Sequence, residues 1–298
     1  VSPRTRKLLG RIALAKAIGL IVTAAVYAWA SRGPRSARAR YHRLARAALV
    51  ESRRSGPPPG EVVTEDDLAR LPAPLADYVR GSGAVGQPRV VNFRARISGR
   101  IRAGADKPWM PFEGEQVNTF GPLPSRLFFI DARMFGLPVD VLHLFTGPSA
   151  TMEVKACSLV PITNAAGPEM DRSETVTILN DLCVMAPAAL VDAQVAWEGV
   201  DDHRVRGTFT RGDQTVRAEL VFDHDHQLVD FVSDDRSRSS SDGRSFTPQR
   251  WSTPLRRHRA FGSRRIASVG EARWHAPEPE GEFAYLEFFV EDIAYDVG

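Results

Sequence analysis

From Ile12 to Ala30 the chain reads IALAKAIGLIVTAAVYAWA, nineteen residues whose only charge is Lys16. A helix of about twenty apolar residues matches the hydrocarbon thickness of a bilayer, so this segment is expected to span a membrane rather than join a packed interior. Lys16 lies one turn inside the start, close enough for its ammonium group to reach the interface, and Tyr27 and Trp29 fall at the opposite boundary, where aromatic rings are favoured. A cleaved secretory signal is the competing reading. Basic residues up to Lys16, an apolar core from Ala17 to Val26 and the small-residue motif Ala28-Trp29-Ala30 have that order. Against cleavage, the new N-terminus would open with a dense run of Arg, which resists translocation.

Charge divides the chain in the same place. The first 54 residues hold thirteen Lys and Arg against one acid, Glu51, a balance of +12, while the whole chain is only +3. The remainder therefore carries −9, which argues against nucleic acid as a partner, because phosphate neutralisation needs a basic surface. A basic arm beside an apolar helix suits anionic lipid headgroups instead, and residues 32–54 are the expected contact. Residues 35–54 are rich in helix formers, with Tyr41, Leu44, Ala48 and Leu49 near helical spacing. They are expected to form a basic helix lying on headgroups or a solvated linker helix. Ser55-Gly56-Pro57-Pro58-Pro59-Gly60 then breaks any helix. The organisation read from this is an anchor over 1–31, a juxtamembrane helix and linker over 32–60, and one domain over 61–298.

More basic residues follow the apolar segment than precede it, which by the charge rule keeps that domain in the cytoplasm, whereas a signal anchor exports it. Cys157 and Cys183 are too few for a disulfide scaffold and lack metal-ligand spacing, so a single bridge or two buried thiols both remain open.

Within the domain, Thr64 followed by Glu65, Asp66 and Asp67 caps a short helix, and Pro74 opens another that closes at Gly81. Beyond Gly86 the pattern changes to short alternating runs separated by Gly, Pro, Asn or Asp. Strands are predicted over 92–102, 112–120, 126–133, 151–158, 194–200, 203–210, 214–222, 227–233, 265–275 and 282–295. Such closely spaced strands make the fold mainly β (α+β), a large curved antiparallel sheet or open barrel. Residues 173–185 are the exception: Val176, Leu179, Cys183 and Ala186 recur at helical spacing and Pro187 stops the run, which predicts one central amphipathic helix. Its narrow stripe of modest side chains predicts weak packing, and so a lid able to swing between Pro168 and Pro187 with Gly167 as hinge.

Several stretches carry a family resemblance: Met134-Phe135-Gly136-Leu137-Pro138-Val139, Ser173-Glu174-Thr175-Val176-Thr177, Asn180-Asp181, Ser233-Asp234-Asp235-Arg236, Trp251-Ser252-Thr253-Pro254 and Gly270-Glu271-Ala272-Arg273-Trp274. Together they resemble an uncharacterised bacterial family, domain of unknown function 6544, over Leu71 to the C-terminus. That resemblance implies no activity. The order of strands around one helix is also similar, more loosely, to the half-barrel of periplasmic lipoprotein carriers, which hold acyl chains in an apolar concavity. It implies an apolar ligand and an extracytoplasmic domain, by fold-level analogy.

The polar residues Glu174, Asn180, Asp181, Asp234, Asp235, Arg236, Arg250, Glu271 and Arg273 stand beside apolar or aromatic ones. Two readings follow. In the first, the domain binds a lipid, another apolar ligand or an envelope partner through Val176, Leu179, Arg236, Trp251, Glu271 and Trp274. In the second it is a hydrolase using Glu174, Asp181, Asp234 or Asp235; Glu174 and Asp181 lie seven residues apart and share a helix face, as an acid and base pair requires. Capping of the helix and ion pairs with Arg explain the same carboxylates without catalysis. Asp223-His224-Asp225-His226 offers His224 and His226 as metal ligands, or simply an Asp-rich turn between strands. Gly81-Ser82-Gly83-Ala84-Val85-Gly86 spells a dinucleotide fingerprint but follows a helix and precedes a strand, the reverse of what pyrophosphate binding needs, and no cofactor is expected. No G-x-S-x-G, P-loop or H-E-x-x-H pattern occurs. The run Arg256, Arg257, Arg259, Arg264 and Arg265 is read as a solvated hairpin tip, with headgroups as the other contact.

Overall fold

A computed structural model describes residues 3–58 and 60–297. Val1, Ser2, Pro59 and Gly298, which the anchor, linker and domain boundaries include, lie outside the described residues. The first helix, α1 (Pro3–Arg32), is long and apolar enough to cross a membrane, and its side chains from Ile12 to Trp29 stay largely uncovered by the rest of the chain. Helix α2 (Ala37–Ser55) follows after a turn, with Ser36 as N-cap accepting from the Ala39 amide. Two short helices come next. In α3 (Glu65–Leu68) Thr64 and Asp67 form a capping box, and α4 (Ala73–Gly81) opens on proline as the sequence predicts.

The first half of the sheet is built from β1 (Asn92–Ile101), β2 (Met110–Thr119), β3 (Ser125–Met134), β4 (Leu137–Phe145), β5 (Thr151–Ala156) and β6 (Val160–Ala166). Helix α5 (Pro168–Met185) and a 3-10 turn (Pro187–Val191) interrupt the strands. The second half comprises β7 (Val195–Asp201), β8 (Arg204–Arg211), β9 (Gln214–Phe222), β10 (Leu228–Ser233), β11 (Ser237–Ser239), β12 (Phe246–Pro248), β13 (Trp251–Ser252), β14 (Leu255–Phe261), β15 (Arg264–His275) and β16 (Glu282–Tyr295). All but β11 and β12 join one antiparallel sheet of fourteen strands, ordered β6-β5-β4-β3-β2-β1-β16-β15-β13-β10-β9-β8-β7, with β14 paired to β15. The Arg-rich run is thus β14 and the start of β15 rather than a bare tip. Strands β4 and β6 also escaped the sequence reading: β4 is an almost unbroken apolar run, with no alternation to betray it.

The sheet curls until its wings meet at one rim. There Arg211 of β8, fully buried, donates to the Pro124 and Gly147 carbonyls at 2.7 and 3.0 Å and stacks 3.4 Å from the Phe145 ring centre. On the convex side α2 presses Tyr41, Ala45 and Leu49 onto Val117, Leu127, Phe129, Leu142 and Leu144. By packing, this basic helix goes with the sheet and is not the solvated linker helix considered from the sequence. Its Arg38 and Arg40 pair with Asp131 and Glu153 on the strands beneath.

Helix α5 lies inside the curl and corrects the expected amphipathic lid. From Ser173 to Met185 every residue is buried, polar ones included. Its stripe Val176, Leu179, Cys183 and Ala186 is sealed in the core, and the helix is a central pillar rather than a swinging cover. Cys183 is a buried free thiol and Cys157 a half-buried one, so the possible bridge between them is absent.

Candidate functional site

Strand register decides which side chains share the concave face, because directly opposed residues in an antiparallel ladder point the same way. The pairings Asn118↔Arg126 and Arg126↔Phe145 form a row nearest the closed rim. The next row is Gln116↔Phe128, Phe128↔His143, His143↔Met152 and Met152↔Ala165. Further out run Gly114, Ile130, Val141, Val154 and Thr163, then Phe112, Ala132, Val139 and Ala156. The face therefore grades from polar, under α5, to apolar beyond it.

The polar rows meet α5 in a buried ion cluster. Arg126 Nε donates to Asp181 Oδ2 at 2.7 Å and Nη1 to Glu174 Oε2 at 3.1 Å. Gln116 Nε2 and Asn118 Nδ2 donate to the same Asp181 oxygen at 2.7 and 3.1 Å. Burial drives the Glu174 pKa up, but attraction to Arg126, His143 and Arg236 outweighs it and holds the carboxyl below its usual range. For Asp181 burial prevails over Arg126 and Asn118, and the pKa is raised. His143, facing Glu174 Oε1 at 3.9 Å, is pushed down to about 4 by burial, so its imidazole is neutral at pH 7.

Beside this cluster stands an aromatic box. The Arg236 guanidinium lies 4.3 Å from the Trp251 ring centre and 5.5 Å from that of Trp274, and Trp274 stacks on Tyr285 at 5.5 Å. Tyr285 Oη accepts from Trp251 Nε1 at 3.2 Å and from Arg236 Nη1 at 3.4 Å, while Arg236 Nη2 approaches Glu174 Oε1 at 3.6 Å. Among the described residues, Arg236 Nε, His143 Nδ1 and Gln249 Nε2 are buried without a hydrogen-bond partner. Unpaired buried nitrogens are costly in a finished interior.

Over the apolar rows lies the β11–β12 hairpin, which leaves the box at Arg236 and returns at Gln249, whose amide donates to the Arg236 carbonyl at 2.9 Å. It crosses to β6, where Thr163 Oγ1 donates to the Ser241 carbonyl at 2.7 Å. Gly243 sits so close to β6 that a Cβ there would come 3.0 Å from both Thr163 and Ala165 side-chain carbons. On its other flank Arg238 pairs with Glu280 at 2.7 Å. The only large apolar side chain it brings to the core is Phe246, and Met134, Met152 and Val154 beneath remain half-buried.

The structure thus gathers Arg236, Trp251, Trp274 and Glu174 and separates the other candidates. Asp181 joins Glu174 through Arg126, but both carboxylates are engaged in ion pairs under α5. Asp235 pairs with Arg172 and accepts from the Arg217 amide, and Asp234 faces solvent with Arg250 at 3.4 Å. Glu271 is bound by Arg256 and Arg273 at 2.8 and 2.9 Å, apart from the box. Val176 and Leu179 are core residues. His226 Nε2 lies 3.9 Å from Asp77, His224 packs edge-on against His203, and no group of three His, Cys, Asp or Glu among the described residues is placed to hold a metal. Sequence reasoning missed Arg126, Gln116, Asn118, His143 and Tyr285. The signal for Arg126 was present: it is the one charge on the alternation Arg126, Phe128, Ile130, Ala132.

No curated protein matches the sequence. Among solved structures, a DUF1329 family protein from Desulfovibrio piger is similar at 14% identity and a TM-score of 0.42, covering 76% of this chain and 93% of that one. A putative outer membrane lipoprotein-sorting protein domain from Vibrio parahaemolyticus is similar at 10% identity and a TM-score of 0.39, covering 75% and 92%. A LolA superfamily protein from Nitrosomonas europaea is similar at 12% identity and a TM-score of 0.37, covering 78% and 93%. A family model matches residues 61–288, about three-quarters of the chain, and the chain belongs to that family of unknown function, DUF6544.

Proposed function

We propose that this chain is a membrane-tethered binding module that receives an apolar chain with a polar or anionic end, a lipid or lipid-like amphiphile, between the β11–β12 hairpin and the concave sheet face. The domain stands on the extracytoplasmic side, in the order a signal anchor gives. The observation that carries the reading is the graded face: half-buried Met134, Met152 and Val154 suit an acyl chain, and the unpaired Arg236 Nε and His143 Nδ1 at its inner end suit a head group. Ligand sites combine an apolar lining with a few convergent polar groups in this way. A neutral His143 and an Arg236 held between two indoles supply hydrogen bonds to an acid without adding a second full cation.

The test uses the full chain in nanodiscs with Trp29→Phe, so that the indole in α1 does not report. A brominated fatty acid is titrated and tryptophan emission followed. Saturable quenching that is lost with Trp251→Phe and Trp274→Phe together, and weakened at least tenfold by Arg236→Leu, is expected. Quenching that rises linearly with no saturation, or survives loss of both indoles, overturns the reading.

A further inference from the structure

The tips of the β3–β4 and β5–β6 hairpins are the least protein-like surface of the domain. Phe135 is 86% exposed, and around it Leu137, Leu159, Val160 and Ile162 are 55%, 49%, 60% and 43% exposed. The tips adjoin, since β4 pairs with β5 and the Cys157 amide donates to the Pro138 carbonyl at 2.7 Å. Phe135 also breaks a local rule. It shares a two-residue turn with Gly136, both at positive φ (51° and 80°), a turn that favours Asn-Gly. An aromatic ring held in the left-handed region and offered to solvent contributes nothing to the fold that Asn would not supply better.

Where this patch sits follows from α2. Arg38 and Arg40, in its first turn, pair with Asp131 and Glu153, whereas Ser52 and Arg53, in its last, bond Asn92 and Asp296. On β3, Asp131 lies near the Met134 end, and Asn92 opposes Thr119 at the other. The chain therefore leaves α1 at the end of the sheet that carries the exposed tips. Exposed Arg32, Arg35 and Arg133 are at this end too; of its acids, Asp131 and Glu153 are paired with α2, Asp140 is buried and accepts from Ser158, and Glu113 stays exposed on β2 opposite Asp131. The neighbouring β1–β2 and β15–β16 turns expose no large apolar side chain, and their Asp106 and Glu280 are paired with Lys107 and Arg238, so the exposed apolar corner is confined to the two tips.

We infer that the β3–β4 and β5–β6 tips dip into the surface of the same anionic bilayer that holds α1, giving the domain a second membrane contact and a fixed tilt. Apolar side chains at the acyl boundary, ringed by cations, are how surface-bound elements engage anionic lipid. The inference rests on α1 spanning the membrane, and the test separates the two.

Full-length protein carrying Phe135→Trp is compared with protein carrying Leu123→Trp, an exposed site in the β2–β3 turn at the opposite end of the ten-residue β3. Both are reconstituted in vesicles of phosphatidylcholine and phosphatidylglycerol with brominated acyl chains, sedimented, and titrated with iodide. Emission added by Phe135→Trp over the parent should be quenched by at least half by brominated lipid and shielded severalfold from iodide, with Leu123→Trp showing the reverse. Equal iodide access at both sites, as a protein partner or a free tip would give, overturns the inference while α1 still sediments the protein. Protein that stays in the supernatant overturns the anchor and the inference together.

Discussion

Helix α5 and the β11–β12 hairpin cover neighbouring parts of one concave face, and they are held by opposite means. The helix is buried on every side and locked by Arg126 to Glu174 and Asp181. The hairpin is three residues paired with three, fastened by Thr163, by the bonds between Ser237 and Ser173 of α5, by the exposed Arg238–Glu280 pair and by the half-buried Phe246 ring. Buried charge that is fully paired makes an element all-or-none, because losing one partner strands the other in a low dielectric. Exposed pairs and single hydrogen bonds contribute little and open independently. The sequence pointed to the helix as the lightly held cover; in the structure the more lightly held element is the hairpin.

The strongest way to break this comparison is Arg126→Met. It leaves two carboxylates buried without their cation and should cost about 3–5 kcal/mol in urea unfolding, with near-native stability showing that α5 is not locked as described. Glu174→Gln should cost more than Asp181→Asn, since the fold favours the charged form of the first and opposes that of the second.

The second effect is set by pH. His143 titrates at about 4 in the fold against 6.5 in the unfolded chain. Between those values the unfolded state binds a proton that the folded state refuses, so stability falls as pH falls through the window. The loss approaches ~3 kcal/mol at its lower end, at about 1.4 kcal/mol per pH unit. His143→Gln should remove that component of the pH profile, measured against the parent in parallel unfolding curves; an unchanged slope would place a charged imidazole in the fold.

The smallest effect belongs to the hairpin. Thr163→Val and Arg238→Ala should each change global stability by no more than about 1 kcal/mol while speeding amide exchange over 237–248 and leaving α5 protected. Exchange of both elements at a single rate would erase the distinction between them.

How much of this was legible in the sequence depended on the range of the interactions concerned. The apolar run Ile12–Ala30, the Thr64 cap, the strand β16 from Glu282 to Tyr295 and the body of α5 over 173–185 are written in local periodicity and capping chemistry, which neighbours in the chain suffice to determine, whereas the start of α5 at Pro168, five residues earlier than the periodicity predicts, is not. The helical spacing of α5 was legible; its burial on all sides was not, because the charge partner that lets Glu174 and Asp181 be buried, Arg126, lies 48 and 55 residues away. The pairing of Trp251 with Trp274 was likewise hidden, since β13 and β15 meet only in the sheet. Composition by itself determined that a basic, apolar N-terminus precedes an acidic strand-rich domain. Tertiary structure alone decided which end of that domain faces α1, because strand register and the docking of α2 are long-range choices that no local window contains.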